Sequence, residues 1–111
     1  MKQLTFPESG GDPKISEIDE AFRAGQGTPN DRYTWAAALA SVGRYGEAAA
    51  QFARVPKSSR LAARAAYERA RALLRGGHGT RARTELEAVV SGHARDTSAA
   101  SSALYLLGDL A

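Results

Sequence analysis

The 111-residue sequence contains no cysteine, a single methionine and a single tryptophan, and aromatic residues make up only 7% of it. The lack of cysteine excludes disulfides, thiolate metal sites and a cysteine nucleophile. It leaves the compartment open, because periplasmic domains also do without cysteine. No run approaches the roughly 18 apolar residues that a transmembrane helix requires, so no membrane insertion is expected. The opening segment MKQLTFPESGG has one lysine and no apolar stretch, so it does not read as a signal peptide. The expected location is therefore cytoplasmic for the chain as it stands, and periplasmic if it is a piece of a longer exported protein. Lysine is scarce too: 3 of the 15 basic residues are lysine and 12 are arginine. A GC-rich coding bias gives the same excess, which weakens it as a sign of a binding role.

What is present in quantity is small and apolar. The hydrophobic share is 43%, with alanine the commonest residue. Alanine has the best helix propensity and allows close helix packing, but it does not fill a wide sandwich core. The composition therefore predicts an all-α protein. Glycine and proline punctuate the chain into short helical stretches. An extended or disordered arm is expected over 1–12 and a small amphipathic helix over 13–28, with Ile15, Ile18 and Phe22 on one face. Further helices are predicted over Tyr33–Val42, ended by Gly43, and Glu47–Val55, ended by Pro56. A longer one, capped by Ser58 or Ser59, runs to Arg75, and one capped by Thr80 runs to about Val90. A last helix opens at Asp96-Thr97-Ser98. Strand alternation is weak everywhere except over Lys2–Phe6.

An internal repeat underlies this order. A shift of 34 residues places Tyr33 on Tyr67, Ala36 on Ala70, Leu39 on Leu73 and Gly43 on Gly77. The same shift places Ala48 on Ala82, Phe52 on Leu86 and Val55 on Val89. A further shift of 38 places Ala65-Ala66-Tyr67 on Ala103-Leu104-Tyr105 and Ala70 on Gly108. Gly43-Arg44-Tyr45-Gly46-Glu47-Ala48, Ala48-x-x-x-Phe52, Ala82-x-x-x-Leu86 and Leu104-x-x-Leu107-Gly108 together resemble the tetratricopeptide repeat, a 34-residue helix–turn–helix unit. The resemblance covers about residues 29–111. It implies antiparallel helical hairpins stacked as a short right-handed solenoid of two and a half units, the last a lone first helix. Pro56 falls closer to Phe52 than the family places its proline, so a short second helix is expected in the first unit. Gly76-Gly77-His78-Gly79-Thr80 departs from the family turn, and a looser turn is expected there. Residues 96–108 also resemble the link between repeats in bacterial periplasmic assembly proteins and the helical scaffold of soluble lytic transglycosylases, whose members carry export signals.

In function, the resemblance implies a non-catalytic scaffold that binds a protein or peptide, acidic partners included, on the concave face of the first helices of each unit. By the family's register that face takes Asn30, Tyr33 and Ala37, then Arg64, Tyr67, Arg71 and Arg75, then Ser102, Tyr105 and Asp109. The candidate peptide-binding residues are Tyr33, Arg64, Tyr67, Arg71, Arg75 and Tyr105: rings supply rigid apolar area and arginines grip carboxylates. The tyrosines can equally pack between helices. The lysine and asparagine of the family's carboxylate clamp are absent.

Charge is unevenly spread. Residues 1–31 carry net −3, residues 54–95 net +7 and residues 96–111 net −2. Arg60, Arg64, Arg71 and Arg75 form one stripe, which suits phosphates or a solvated face paired to Glu68, Glu85 and Glu87. Without an accompanying motif, nucleic-acid binding is the weaker alternative. A structural role is the other alternative: Ile15/Ile18/Phe22 and Leu104/Leu107/Leu110 would pair the open ends of the solenoid with another copy as a homo-oligomer. No catalytic constellation, cofactor motif or metal-ligand cluster is expected. His78 and His93 sit in separate turns, and Gly76–Gly79 lacks the lysine and hydroxyl of a phosphate loop.

Overall fold

A computed structural model describes residues 27–93 and 95–110. The arm and helix expected over 1–28 lie outside these residues except for Gly27 and Thr28, as does the strand-like stretch Lys2–Phe6. The described chain is all helical: α1 (Pro29–Ser41), α2 (Tyr45–Ala53), α3 (Ala62–Arg75), α4 (Gly79–Gly92) and α5 (Thr97–Leu110). Each packs against its neighbours in sequence, and α3 also touches α5.

Local chemistry accounts for the helix ends. At the start of α1, Asp31 N–H donates to Thr28 Oγ1 at 3.1 Å and Thr28 N–H donates to Asp31 Oδ2 at 2.9 Å, with Pro29 in the first turn. This capping box satisfies two amides that the helix cannot, and proline loses nothing there. At the start of α5, Asp96 Oδ1 accepts from Ala99 N–H at 3.0 Å. Two expected caps are corrected. α3 begins at Ala62 and not beside Ser58, because Pro56–Leu61 closes into successive turns: Ser59 N–H reaches Pro56 O, Ala62 N–H reaches Ser59 O, and Ser59 Oγ is spent on Leu61 N–H. α4 begins before Thr80, with His78 at its N-cap and Ala82 N–H already bonded to His78 O at 2.9 Å.

The turns after α1 and α3 are the same object 34 residues apart. Gly43 and Gly77 take φ of +84° and +88°, the left-handed region in which glycine has no steric cost. Gly43 N–H bonds Ala40 O while Arg44 N–H bonds Leu39 O, and Gly77 N–H bonds Leu74 O while His78 N–H bonds Leu73 O. Both are Schellman C-caps. The turn at Gly77 is thus as tight as the first, against the expectation of a looser one. As expected, α2 is short: it has 9 residues against 14 in α4. Pro56 disfavours the helical conformation at Val55, so the chain leaves the helix after Ala53.

Burial follows the same spacing. Ala36 and Ala70, Leu39 and Leu73, Ala48 and Ala82, Phe52 and Leu86, Val55 and Val89 are all buried, pair by pair. They form two clusters that meet at α3. Ala65, Ala72 and Leu73 turn back toward Trp35, Leu39 and Phe52, while Ala63 and Ala70 turn forward toward Leu86, Val89, Ala99 and Ala103. Alanine on both flanks of α3 lets it lie between two layers, and its third face is left for charge. Trp35, wholly buried, is the largest residue of the first cluster. Its role is not marked in the repeat, because the position 34 residues on is Arg69. Gln51 is buried too, and its Oε1 accepts from Arg32 at 2.7 Å, which offsets the cost of desolvating the amide.

Candidate functional site

The third face of α3 is the surface that the register singles out. Arg64, Tyr67, Glu68, Arg71 and Arg75 recur at spacings of three and four, so they share one side of the helix. α1 contributes Tyr33 and α5 contributes Ser102 beside it.

Arg64 is the hub. Its guanidinium lies close enough to the Tyr33 hydroxyl on α1 to favour the phenolate. Its Nη1 lies 3.5 Å from Ser102 Oγ on α5. Its guanidinium also sits 5.1 Å from the centre of the Tyr67 ring, within cation–π range. One side chain on the middle helix therefore touches three elements. Tyr33 is held from below by the core: its ring meets Phe52 edge-on, centroids 5.3 Å apart at 69°. Its hydroxyl titrates above the usual tyrosine value, first because burial disfavours the phenolate, then because Glu68 is near, with Arg64 and Arg71 partly opposing both.

Glu68 changes the electrostatics of this face. Its carboxylate lies 3.8 Å from Arg64 and 3.7 Å from Arg71, and its side chain is only 16% exposed. Two of the stripe's arginines are therefore tied to an internal acid. These are partly exposed pairs, each contributing no more than about 1 kcal/mol, so an incoming carboxylate can compete for either arginine. Arg69 is engaged by Glu85 at 3.5 Å on the other flank of α3.

The structure thus brings four of the six candidates, Tyr33, Arg64, Tyr67 and Arg71, into one cluster. Arg75 is exposed on the next turn of the same helix, with no ion pair among the described residues. Tyr105 is 79% exposed on α5, one turn beyond Ser102, and makes no ring contact with the cluster among the described residues. Asn30, Ala37 and Asp109 are exposed. Tyr67 also packs against the second core cluster, so both α1 and α3 tyrosines serve as packing groups and as surface. The stripe expected to include Arg60 is shorter than that, because Arg60 precedes the first turn of α3 and lies in the loop.

His78 and His93 cap opposite ends of α4, about 20 Å apart at 1.5 Å per residue, too far to share a ligand. Among the described residues no group of three or more His, Cys, Asp or Glu is placed to hold a metal ion, and no helix is long and apolar enough to cross a membrane. Comparison with protein-family models, with curated proteins and with solved structures gives no match to this chain, so its functional reading rests on its own residues and geometry.

Proposed function

We propose that the chain is a tetratricopeptide-type helical repeat module that binds a peptide segment of a protein partner, without catalysis, across the face shared by α1, α3 and α5. The observation that carries this reading is Arg64 joining Tyr33, Tyr67 and Ser102 into one half-exposed surface drawn from three alternating helices. Such a surface has rigid rings for apolar contact and guanidinium groups for carboxylates or backbone carbonyls. The two identical glycine turns and the paired burial 34 residues apart support the repeat architecture. Glu68 sets the polarity: an acidic side chain of the peptide belongs at the Arg71–Arg75 end, where one cation is unpaired and the other is shared.

The test is capture of a partner from lysate by the wild-type chain and by the triple variant Arg71→Glu, Arg75→Glu, Tyr105→Ala, with circular dichroism on both. Tyr67 is left intact because it also packs against the core. A protein recovered by the wild type and lost with the folded variant, then bound as a synthetic peptide, is the expected result. Equal recovery by both removes this face as the site.

A second reading, self-association, is favoured by one observation. Leu104 and Tyr105 are 56% and 79% exposed on α5, the outermost described helix. Leu107 and Leu110, expected at the same open end, are instead half-buried against the second core cluster. Sedimentation of the wild type and of Leu104→Glu separates the readings: a concentration-dependent dimer lost in the variant supports self-association.

A further inference from the structure

The strongest unused feature lies away from the peptide face, where the α2–α3 and α4–α5 loops run side by side. An open pocket of about 490 Å³ is lined there by Lys57 and Arg60 from the first loop and by His93, Arg95 and Asp96 from the second. The other arginines of the described chain are mostly engaged: Arg64 and Arg71 by Glu68, Arg69 by Glu85, Arg44 by Glu47, Arg83 by the Leu110 carbonyl and Arg32 by Gln51. Lys57, Arg60 and Arg95 make no ion pair or hydrogen bond from their side chains among the described residues. The one carboxylate in the pocket, Asp96, is turned to the Ala99 amide as a helix cap and pairs with none of the three. The start of α3, which no side chain caps, supplies Ala62 and Ala63 to the same wall.

We infer that this pocket binds a small phosphate-bearing anion. The reasoning is electrostatic. Three uncompensated cations around one concavity raise a positive potential there, and the fold gains if an anion neutralises it. A lone carboxylate has one charge and two oxygens, which matches a single guanidinium. A phosphoryl group has more charge and a third oxygen, so two arginines and a lysine can be satisfied together by charge-assisted bonds. The volume falls in the range of small-ligand sites, whose usual size is roughly 300–1,000 Å³. This inference goes beyond the peptide-binding reading and shares none of its six candidate residues.

The experiment uses the full chain and inorganic pyrophosphate as the probe, titrated by calorimetry at fixed ionic strength, with acetate as the carboxylate control. The expected result is saturable binding of pyrophosphate, no binding of acetate, and at least tenfold weaker binding in Arg60→Gln/Arg95→Gln. Arg81→Gln/Arg83→Gln, which removes two exposed cations outside the pocket, binds as the wild type does. Amide chemical shifts of the wild type, followed through the same titration, keep the test independent of variant folding, and they move at residues 57–63 and 91–96. Absence of binding overturns the inference. So does equal weakening in both double variants, which would mean diffuse charge attraction. Shifts confined to the α1–α3–α5 face overturn it as well. A single-stranded RNA or an acidic peptide that binds through Arg60 and Arg95 but is not displaced by pyrophosphate would replace it with a macromolecular partner.

Discussion

Replacing Phe52 by alanine tests how the core holds the candidate site. Phe52 is 2% exposed and lies in the first core cluster, at the position where the second unit has the wholly buried Leu86. Burial at this level means that truncation removes a whole ring from close-packed surroundings, for which the loss is about 3–5 kcal/mol including the cavity left behind. Of this, about 0.5–1.5 kcal/mol belongs to the edge-on contact with Tyr33. A domain of this size has roughly 5–15 kcal/mol in total, so the variant loses a large fraction of its stability. At about 4 °C per kcal/mol, the melting temperature falls by about 15 °C. Urea unfolding followed by far-ultraviolet circular dichroism measures the loss. A double-mutant cycle of Phe52→Leu with Tyr33→Leu isolates the ring pair, with an expected coupling of about 0.5–1.5 kcal/mol. A loss under about 1 kcal/mol in Phe52→Ala would refute the packing described here. Zero coupling in the cycle would refute the claim that the core positions Tyr33.

Three further outcomes are expected. Leu86→Ala costs about 3–5 kcal/mol in the same assay, whereas Leu104→Ser on the exposed side of α5 stays within about 0.5 kcal/mol; similar losses at both would show that the second cluster is wrongly placed. Gly43→Ala and Gly77→Ala each destabilise by about 1–2 kcal/mol through left-handed strain alone, since neither added methyl meets a neighbouring atom, and the two values should agree because the turns are the same. The raised titration of Tyr33 gives a third outcome: below pH 10 the hydroxyl is protonated in both states and contributes no pH dependence, but above it the unfolded chain ionises first and stability falls. Tyr33→Phe should flatten part of that alkaline loss, and an unchanged slope would count against burial of the hydroxyl.

Much of the helical framework was legible in the residues. Gly43 and Gly77 end helices because only glycine takes their φ without strain, and this depends on residues within one turn. The 34-residue pairing of Ala36 with Ala70 and Phe52 with Leu86 marked core positions correctly, because helix periodicity decides which side chains share a face. Caps were less legible: Ser58, Ser59 and Thr80 have the right chemistry for capping, yet turn hydrogen bonds at Pro56–Leu61 and the N-cap at His78 take precedence. Hydroxyl side chains compete among several local bonds of similar energy, and short-range pattern does not rank them.

Sequence alone determined the helical class, the glycine stops at Gly43 and Gly77 and the short second helix, which follow from propensity, φ and spacing along one helix, whereas the identical geometry of the two turns emerged only in the structure. Tertiary structure alone decided what those helices place together. Glu68 sits between Arg64 and Arg71 by spacing that a helix supplies, but Tyr33 and Ser102 reach Arg64 only because α1 and α5 flank α3. Leu107 and Leu110 look like an open end in the sequence, and they are half-buried because α5 turns them onto the second cluster. Lys57 and Arg60 come beside Arg95 only where two loops run together at one end of the molecule. The difference is physical: backbone conformation answers to neighbours in the chain, whereas electrostatic pairing and burial answer to neighbours in space.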